Sequence, residues 1–355
     1  MAIFLRKLQK KPKRILVSRT DRIGDFILTL PVFETLKKEL DLFLTVLCNK
    51  SAVPLLENNP FVDDVITISQ NEDPTSTITT INAQNFDTLL VMVNDPLIIK
   101  LLPSVQRIPV RIGPLNKPSV LFRYSHPVIQ KRSRSIMNEA EYNLELLQIF
   151  GITQLSAIKP RLYLSNEEIQ AFQSKFQDLF PFESNEIPII VLHPGMGGSA
   201  LNLKFDLYRK ILFELLKKNY FVALTGSDNK EYSENKRLIQ AQDMAVKSKV
   251  ANVAGRFTLR ELSILISLAR LYIGPSTGPT HLANAVQTPL ITFYPPIQVQ
   301  SATRWQPYLA KSSVLTPQVS CNQKYRCIGE KCSSYYCMDS IGINDVLSSL
   351  KELLS

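Results

Sequence analysis

Short apolar runs rich in Val, Ile, Leu and Phe alternate with stretches of helical period along almost the whole chain. This is the pattern of a parallel α/β architecture, in which strands buried on both faces are each followed by a covering helix. In the first half, Ile15–Ser18, Phe43–Cys48, Val65–Ile68, Thr88–Val93 and Val110–Ile112 read as strands. Phe26, Ile27, Leu30, Phe33 and Leu36 line one face of a predicted helix, Asp25–Leu40, with Pro31 in its first two turns. A further helix, Asn138–Phe150, stops at Gly151.

Prolines 160, 181 and 188 then surround a polar, helix-like stretch that reads as a passage between domains. A second alternating series follows: strand Ile189–Leu192, helix Leu207–Lys218, strand Tyr220–Thr225, helix Asn229–Ala241 and strand Val250–Val253. It continues with helix Leu259–Ala269, strand Leu271–Ile273, helix Gly278–Val286 and strand Leu290–Phe293. Two doubly wound, Rossmann-like α/β domains facing a central cleft are the economical reading. The expected parts are an N-terminal domain at 1–165, a linker region at 166–187, a C-terminal domain at 188–340 and a terminal helix at 341–355 that could pack on either domain.

At 355 residues, 45% hydrophobic and 20% charged, the chain is long enough for two domains and needs no staple to fold. No apolar run reaches the ~18–20 residues of a membrane-spanning helix. The opening residues make a poor secretory signal, so a cytoplasmic protein is expected. Lys and Arg exceed Asp and Glu by 41 to 31, a surplus that attracts anions. Arg6, Lys7, Lys10, Lys11, Lys13 and Arg14 stand beside Ile3, Phe4, Leu5 and Leu8, a mixture suited to an anionic leaflet or to a solvated end. Of five cysteines, Cys321, Cys327, Cys332 and Cys337 cluster late, at spacings unlike paired C-x-x-C motifs. Four thiolates suffice for a tetrahedral zinc, and unbonded thiols are the plainer alternative.

In doubly wound sheets, ligands sit beyond the carboxyl ends of the strands. After the first strand comes Arg19-Thr20-Asp21-Arg22-Ile23-Gly24-Asp25. Two arginines, a glycine and two aspartates there suit a reaction site, although Asp25 near a helix start also suits simple capping. It is not a G-x-G-x-x-G fingerprint, and no P-loop occurs. His193-Pro194-Gly195-Met196-Gly197-Gly198-Ser199 can wrap phosphate oxygens with backbone amides, with Asn202 and Lys204 just beyond. Ser276-Thr277-Gly278-Pro279, followed by Thr280 and His281, puts hydroxyls and amides at a positive helix end, or serves as an ordinary cap. Gly226 precedes Glu231, a candidate partner for ribose hydroxyls, and Phe257 is a candidate wall for a base.

Taken in order, these pieces resemble glycosyltransferase family 9, the lipopolysaccharide heptosyltransferases. The matching residues are Gly24-Asp25, Thr29-Leu30-Pro31, His193-Pro194-Gly195, Leu259-Arg260-Glu261-Leu262 and the run Gly274 to Pro289. The resemblance implies a GT-B fold with acceptor-binding and nucleotide-sugar-binding domains. It implies transfer from ADP-heptose to a lipid-linked lipopolysaccharide core or another surface glycan, inverting and without a required metal or cofactor. Asp25 then matches the catalytic base. Arg19, Arg22, Gly24, Arg123 and Arg132 would face an anionic acceptor. The donor would be held by His193, Gly195, Gly197, Gly198, Ser199, Asn202, Lys204, Gly226, Glu231, Phe257, Ser276, Thr277, Gly278, Pro279 and His281. The expected protein is a monomer that can rest on the cytoplasmic face of the inner membrane and binds no nucleic acid. Ser276 stands where many relatives carry Asp, which leaves the sugar open. A silent nucleotide-sugar-binding protein of the same fold, or a member using another nucleotide sugar, is the alternative. A basic nucleic-acid-binding protein with a zinc is a weaker one.

Overall fold

The computed structural model describes the chain except for residues 1, 9, 70, 71, 121, 154–156, 181–186, 198 and 199, and it gives the main chain alone at 244–246. It divides into two compact units, Met1–Tyr163 and Leu164–Ser355.

The first unit carries strands β1 (Ile3–Phe4), β2 (Arg14–Arg19), β3 (Phe43–Asn49), β4 (Asp64–Ile68), β5 (Thr88–Val91), β6 (Val110–Pro114) and β7 (His126–Ile129). They form one sheet in the order β1-β7-β6-β5-β2-β3-β4, parallel except for the β1–β7 pair. The winding reverses between β2 and β5, so the carboxyl end of β2, at Arg19, lies at a topological switch point.

The second unit carries β8 (Ile189–Leu192), β9 (Phe221–Leu224), β10 (Val250–Asn252), β11 (Leu271–Pro275), β12 (Leu290–Phe293) and β13 (Ser312–Leu315). Its sheet is wholly parallel in the order β10-β9-β8-β11-β12-β13, with the switch between β8 and β11. Its core joins Ile190, Leu224, Ile273 and Phe293 to Leu212 and Leu216, and also to Val346, Leu350 and Leu353. The last three lie on the terminal helix Ile343–Leu354, which therefore packs on the second unit.

Several predicted elements differ in detail. The stretch Asp25–Leu40 is two helices, Ile23–Ile27 and Leu30–Glu39. Pro31 falls in the first turn of the second, where its missing amide costs little, and so it starts a helix instead of lying within one. The helix Asn138–Phe150 is α over Glu139–Glu145 and tightens to 3₁₀ over Leu146–Phe150 before Gly151, whose φ of +82° ends it. The region expected as linker holds the helix Asn166–Leu179, and Pro181 falls outside the described residues. Ser165 and Glu168 form its capping box. Phe172 and Phe176 bury its inner face, and Glu168 makes a two-pronged ion pair with Arg260 at 2.8 and 2.9 Å. It is part of the second unit. Among the described residues no helix is long and apolar enough to cross a membrane.

Candidate active site

In the first unit the loop after β2 is organised around Arg19, which is 1% exposed. Its Nε donates to Asp21 Oδ1 at 2.6 Å and its Nη2 to Asp21 Oδ2 at 2.9 Å. Nη2 also donates to Asp25 Oδ1 at 2.8 Å. Nη1 reaches Asn143 Oδ1 at 3.1 Å and Glu139 Oε1 at 3.4 Å. Glu139, fully buried, takes a second cation on the same oxygen, from Arg132 Nη1 at 2.6 Å. Burial works against the Arg19 charge, but Asp21, Asp25 and Glu139 outweigh it and hold its pKa above the usual arginine value.

This arrangement decides several expectations. Arg19 has no surface left for an acceptor; it anchors the Asp21 and Asp25 carboxylates. Asp25 is not the N-cap, a position taken by Arg22 without any side-chain cap bond. It sits in the first turn of Ile23–Ile27, partly open to solvent, and is gripped through Oδ1. Arg22 is exposed beside it, Gly24 half-exposed, and Arg132 joins the cluster through Glu139. Arg123 does not join it. It precedes β7, whereas the cluster lies past that strand's carboxyl end, and its carbonyl accepts from Arg111 Nε at 2.9 Å. Glu139 and Asn143 went unremarked in the sequence. Their signal was a polar pair four residues apart on an otherwise apolar helix face.

In the second unit most candidate residues follow the carboxyl ends of β8, β9 and β11. His193 is buried, its ring nitrogen Nδ1 lies 2.9 Å from Thr225 Oγ1, and its amide donates to the Ile273 carbonyl at 2.8 Å. Glu231 folds back so that its carboxylate accepts from Ser227 N at 2.6 Å and Ser227 Oγ at 3.0 Å. That position crowds both Gly195 and Gly226. A Cβ on Gly195 would lie 2.1 Å from the Glu231 carboxylate oxygen, and one on Gly226 2.8 Å from Glu231 Cβ. Gly197 has open space around it, and Gly198 and Ser199 fall outside the described residues.

Thr277 takes the N-cap position of the helix Gly278–Ala285, with Pro279 in its first turn. Below it lies a layer of hydroxyls: Ser276 bonds the buried Tyr294, Thr277 bonds Tyr272, and Thr280 reaches Tyr272 at 3.3 Å. An anion over this helix end would meet the Gly278 amide and a positive dipole; Pro279 has no amide hydrogen, and the Thr280 amide donates to the Thr277 carbonyl at 3.1 Å. His281, one turn in, is buried, and its Nδ1 has no hydrogen-bond partner among the described residues.

Three residues expected at the donor already have partners in this structure. The Asn202 amide donates to the Pro194 carbonyl at 2.8 Å and accepts from Leu203 N and Tyr208 Oη, so it buttresses the His-Pro-Gly loop. Phe257, half-buried, packs edge-on against Phe172 of the helix Asn166–Leu179, ring centroids 5.1 Å apart. Lys204 pairs with Asp339 and lies 4.3 Å from the Tyr336 ring centroid. The cysteines of that late segment are half-buried and form no disulfide. Among the described residues no three His, Cys, Asp or Glu side chains lie together as a metal site.

Burial pushes the imidazoles of His193, against the pull of Glu231, and His281 down from 6.5 to about 4. The unfolded chain therefore takes up two protons below pH 6.5 that the folded chain refuses until about pH 4. Stability present above pH 6.5 should fall through that window by about 3 kcal/mol per histidine. Denaturant titrations at several pH values measure it, and His281→Leu should flatten the slope; an unchanged slope would remove His281 from the account.

Comparison with known proteins gives concordant matches. The model of glycosyltransferase family 9 (heptosyltransferase) matches residues 75–333. A glycosyltransferase-like protein of Haemophilus influenzae is 31% identical over 304 residues, covering 83% of this chain and 86% of that one. Lipopolysaccharide heptosyltransferase 3 of Escherichia coli K12 is 26% identical, over 76% of this chain and 79% of its own. Among solved structures, that of the Escherichia coli ADP-heptose lipopolysaccharide heptosyltransferase II aligns with a TM-score of 0.77 at 21% identity, covering 96% of this chain and 98% of that one.

Proposed function

Because the chain belongs to glycosyltransferase family 9 and has the GT-B fold, we propose that it transfers a heptose from ADP-heptose to a lipopolysaccharide core or related lipid-linked glycan. The reaction inverts the anomeric centre, uses Asp25 as general base and requires no metal. The observation that carries this reading is the Asp25 carboxylate at the β2 switch point, oriented by a buried arginine.

Asp25 takes the proton of the acceptor hydroxyl as that oxygen forms its bond to the anomeric carbon. The bond from that carbon to the diphosphate oxygen breaks, and ADP leaves with the electron pair. Arg22, Gly24 and Arg132 line the acceptor side. On the donor side, the amides of the His193–Gly197 loop and the start of the helix Gly278–Ala285 take the diphosphate, whose growing charge they stabilise. Ser276, Thr277 and His281 stand at the sugar or its phosphate. The names of the Escherichia coli relatives support ADP-heptose as donor and lipopolysaccharide as acceptor, and a lipid-linked acceptor is met at a membrane surface.

Thermal shift with ADP, UDP and GDP tests the donor. ADP should protect most, by about 2.7 kcal/mol at a hundredfold excess over its dissociation constant. Transfer from ADP-heptose to a deacylated core, in EDTA, tests the rest. Stronger protection by another nucleotide would redirect the donor, and protection by ADP without any transfer would leave a binding protein.

A further inference from the structure

One edge of the first unit takes no part in the site. β1 is the outermost strand, paired antiparallel to β7 through Ile3 with Ile129 and Phe4 with Val128. The Leu5 amide extends the pairing to the Pro127 carbonyl. Side chains alternate along a strand, so Ile3 and Leu5 share a face; they are 52% and 51% exposed.

Beyond Leu5 the chain leaves the sheet. Arg6, Lys7, Lys10, Lys11 and Lys13 are all exposed, while the half-buried Leu8 and the buried Pro12 tie the strip down. None of these five cations forms an ion pair with a described residue. Grooves flank the strip on both sides. One of about 690 Å³ runs between it and Ile149 and Phe150; the other, about 540 Å³, runs between it and Val110 and His126.

Natural sheets blunt their outer strands with charge. Here the aliphatic pair is left open on the strand and the charges follow it, so apolar and cationic surface lie end to end. A bilayer surface offers the matching order, acyl boundary and then anionic headgroups. We propose that this edge docks on an anionic lipid bilayer: Ile3 and Leu5 enter the acyl boundary, and the five unpaired cations rest on lipid phosphates. Charge complementarity selects this occupant, since nothing on the strip pairs its own cations. The proposal stands apart from the catalytic reading, because docking is measured without sugar donor or acceptor.

The test is co-sedimentation of the full chain with vesicles of phosphatidylcholine alone or mixed with phosphatidylglycerol, at low and high salt. The chain should sediment with the anionic vesicles and be released by salt. Each cation near such a surface is worth about fivefold in partitioning, so Lys10→Glu/Lys11→Glu should weaken binding at least ~25-fold. Ile3→Ser/Leu5→Ser should weaken it about tenfold. Lys217→Glu/Lys218→Glu, an exposed pair on the second unit, is the control for the general basic charge and should change binding less than about twofold on the same scale. Equal binding to both vesicle types, or equal losses from the two charge-reversed pairs, would overturn the proposal. So would release by inorganic phosphate at constant ionic strength, which would assign the strip to free phosphate.

Discussion

Asp25→Asn should lower turnover by about 10²–10⁴-fold, or roughly 3–5 kcal/mol of transition-state stabilisation, while ADP still protects the variant against heat. Asparagine keeps an oxygen where Asp25 Oδ1 meets Arg19 Nη2 at 2.8 Å, so the loop retains its anchor. What disappears is an atom able to take the acceptor's proton. The residues proposed for the donor all belong to the second unit and to other strand ends, so nucleotide protection should be untouched. Asp21→Asn is the informative companion. Asp21 accepts from Arg19 through both carboxylate oxygens, so its loss should appear chiefly in stability. Single-turnover rates and thermal shifts on the two variants separate these roles. An Asp25→Asn enzyme that turns over at the wild-type rate would falsify the assignment of the base.

The parallel α/β organisation was readable because buried parallel strands are nearly uninterrupted apolar runs, as in Ile15–Val17 and Ile189–Leu192, and helices with a covered face carry a clear period. The edges were not. β1 and β7 are short and β13 is half-buried along its length, so little in their composition separates them from loop. The polar stretch between the prolines read as helix-like, but its place in the second unit did not show, because Gln and Glu mask the apolar face that Phe172 and Phe176 bury. Its capping box, Ser165 with Glu168, was the signal available.

The candidate site was legible to the extent that motifs name loops. The sequence puts Asp25 and Arg19 on one loop and His193, Gly195, Gly226 and Glu231 on neighbouring ones, but says nothing about which side chains spend themselves on one another. Asn202, Phe257 and Lys204 looked available for a ligand because their partners, Pro194 and Tyr208, Phe172, and Asp339 and Tyr336, are brought to them by tertiary structure. Gly195 read as a pliable phosphate-loop glycine, yet a side chain there would meet the Glu231 carboxylate, and Gly226 is crowded by Glu231 Cβ and Ala254 Cβ.

The largest stability loss is expected from Arg19→Met. The substitution removes the buried cation that Asp21, Asp25 and Glu139 share, while Arg132 stays on Glu139. Breaking a buried ion pair from one side typically costs about 3–5 kcal/mol, because the remaining charge stays desolvated. That is a large part of a total stability of about 5–15 kcal/mol. At roughly 2–4 °C per kcal/mol for a unit of this size, the melting temperature should fall by about 6–20 °C. The double variant Arg19→Met/Glu139→Gln should recover part of the loss, since the two groups share one network and their effects do not add. Arg19→Lys separates orientation from charge: a lysine restores the cation but cannot present the planar fork that holds Asp21 and Asp25 together. It should melt nearer the wild type yet turn over several-fold more slowly, with its KM for the donor unchanged. An Arg19→Met protein within about 1 kcal/mol of wild type would mean that water reaches this cluster and solvates its charges. The anchoring of Asp25 would then have to be sought elsewhere.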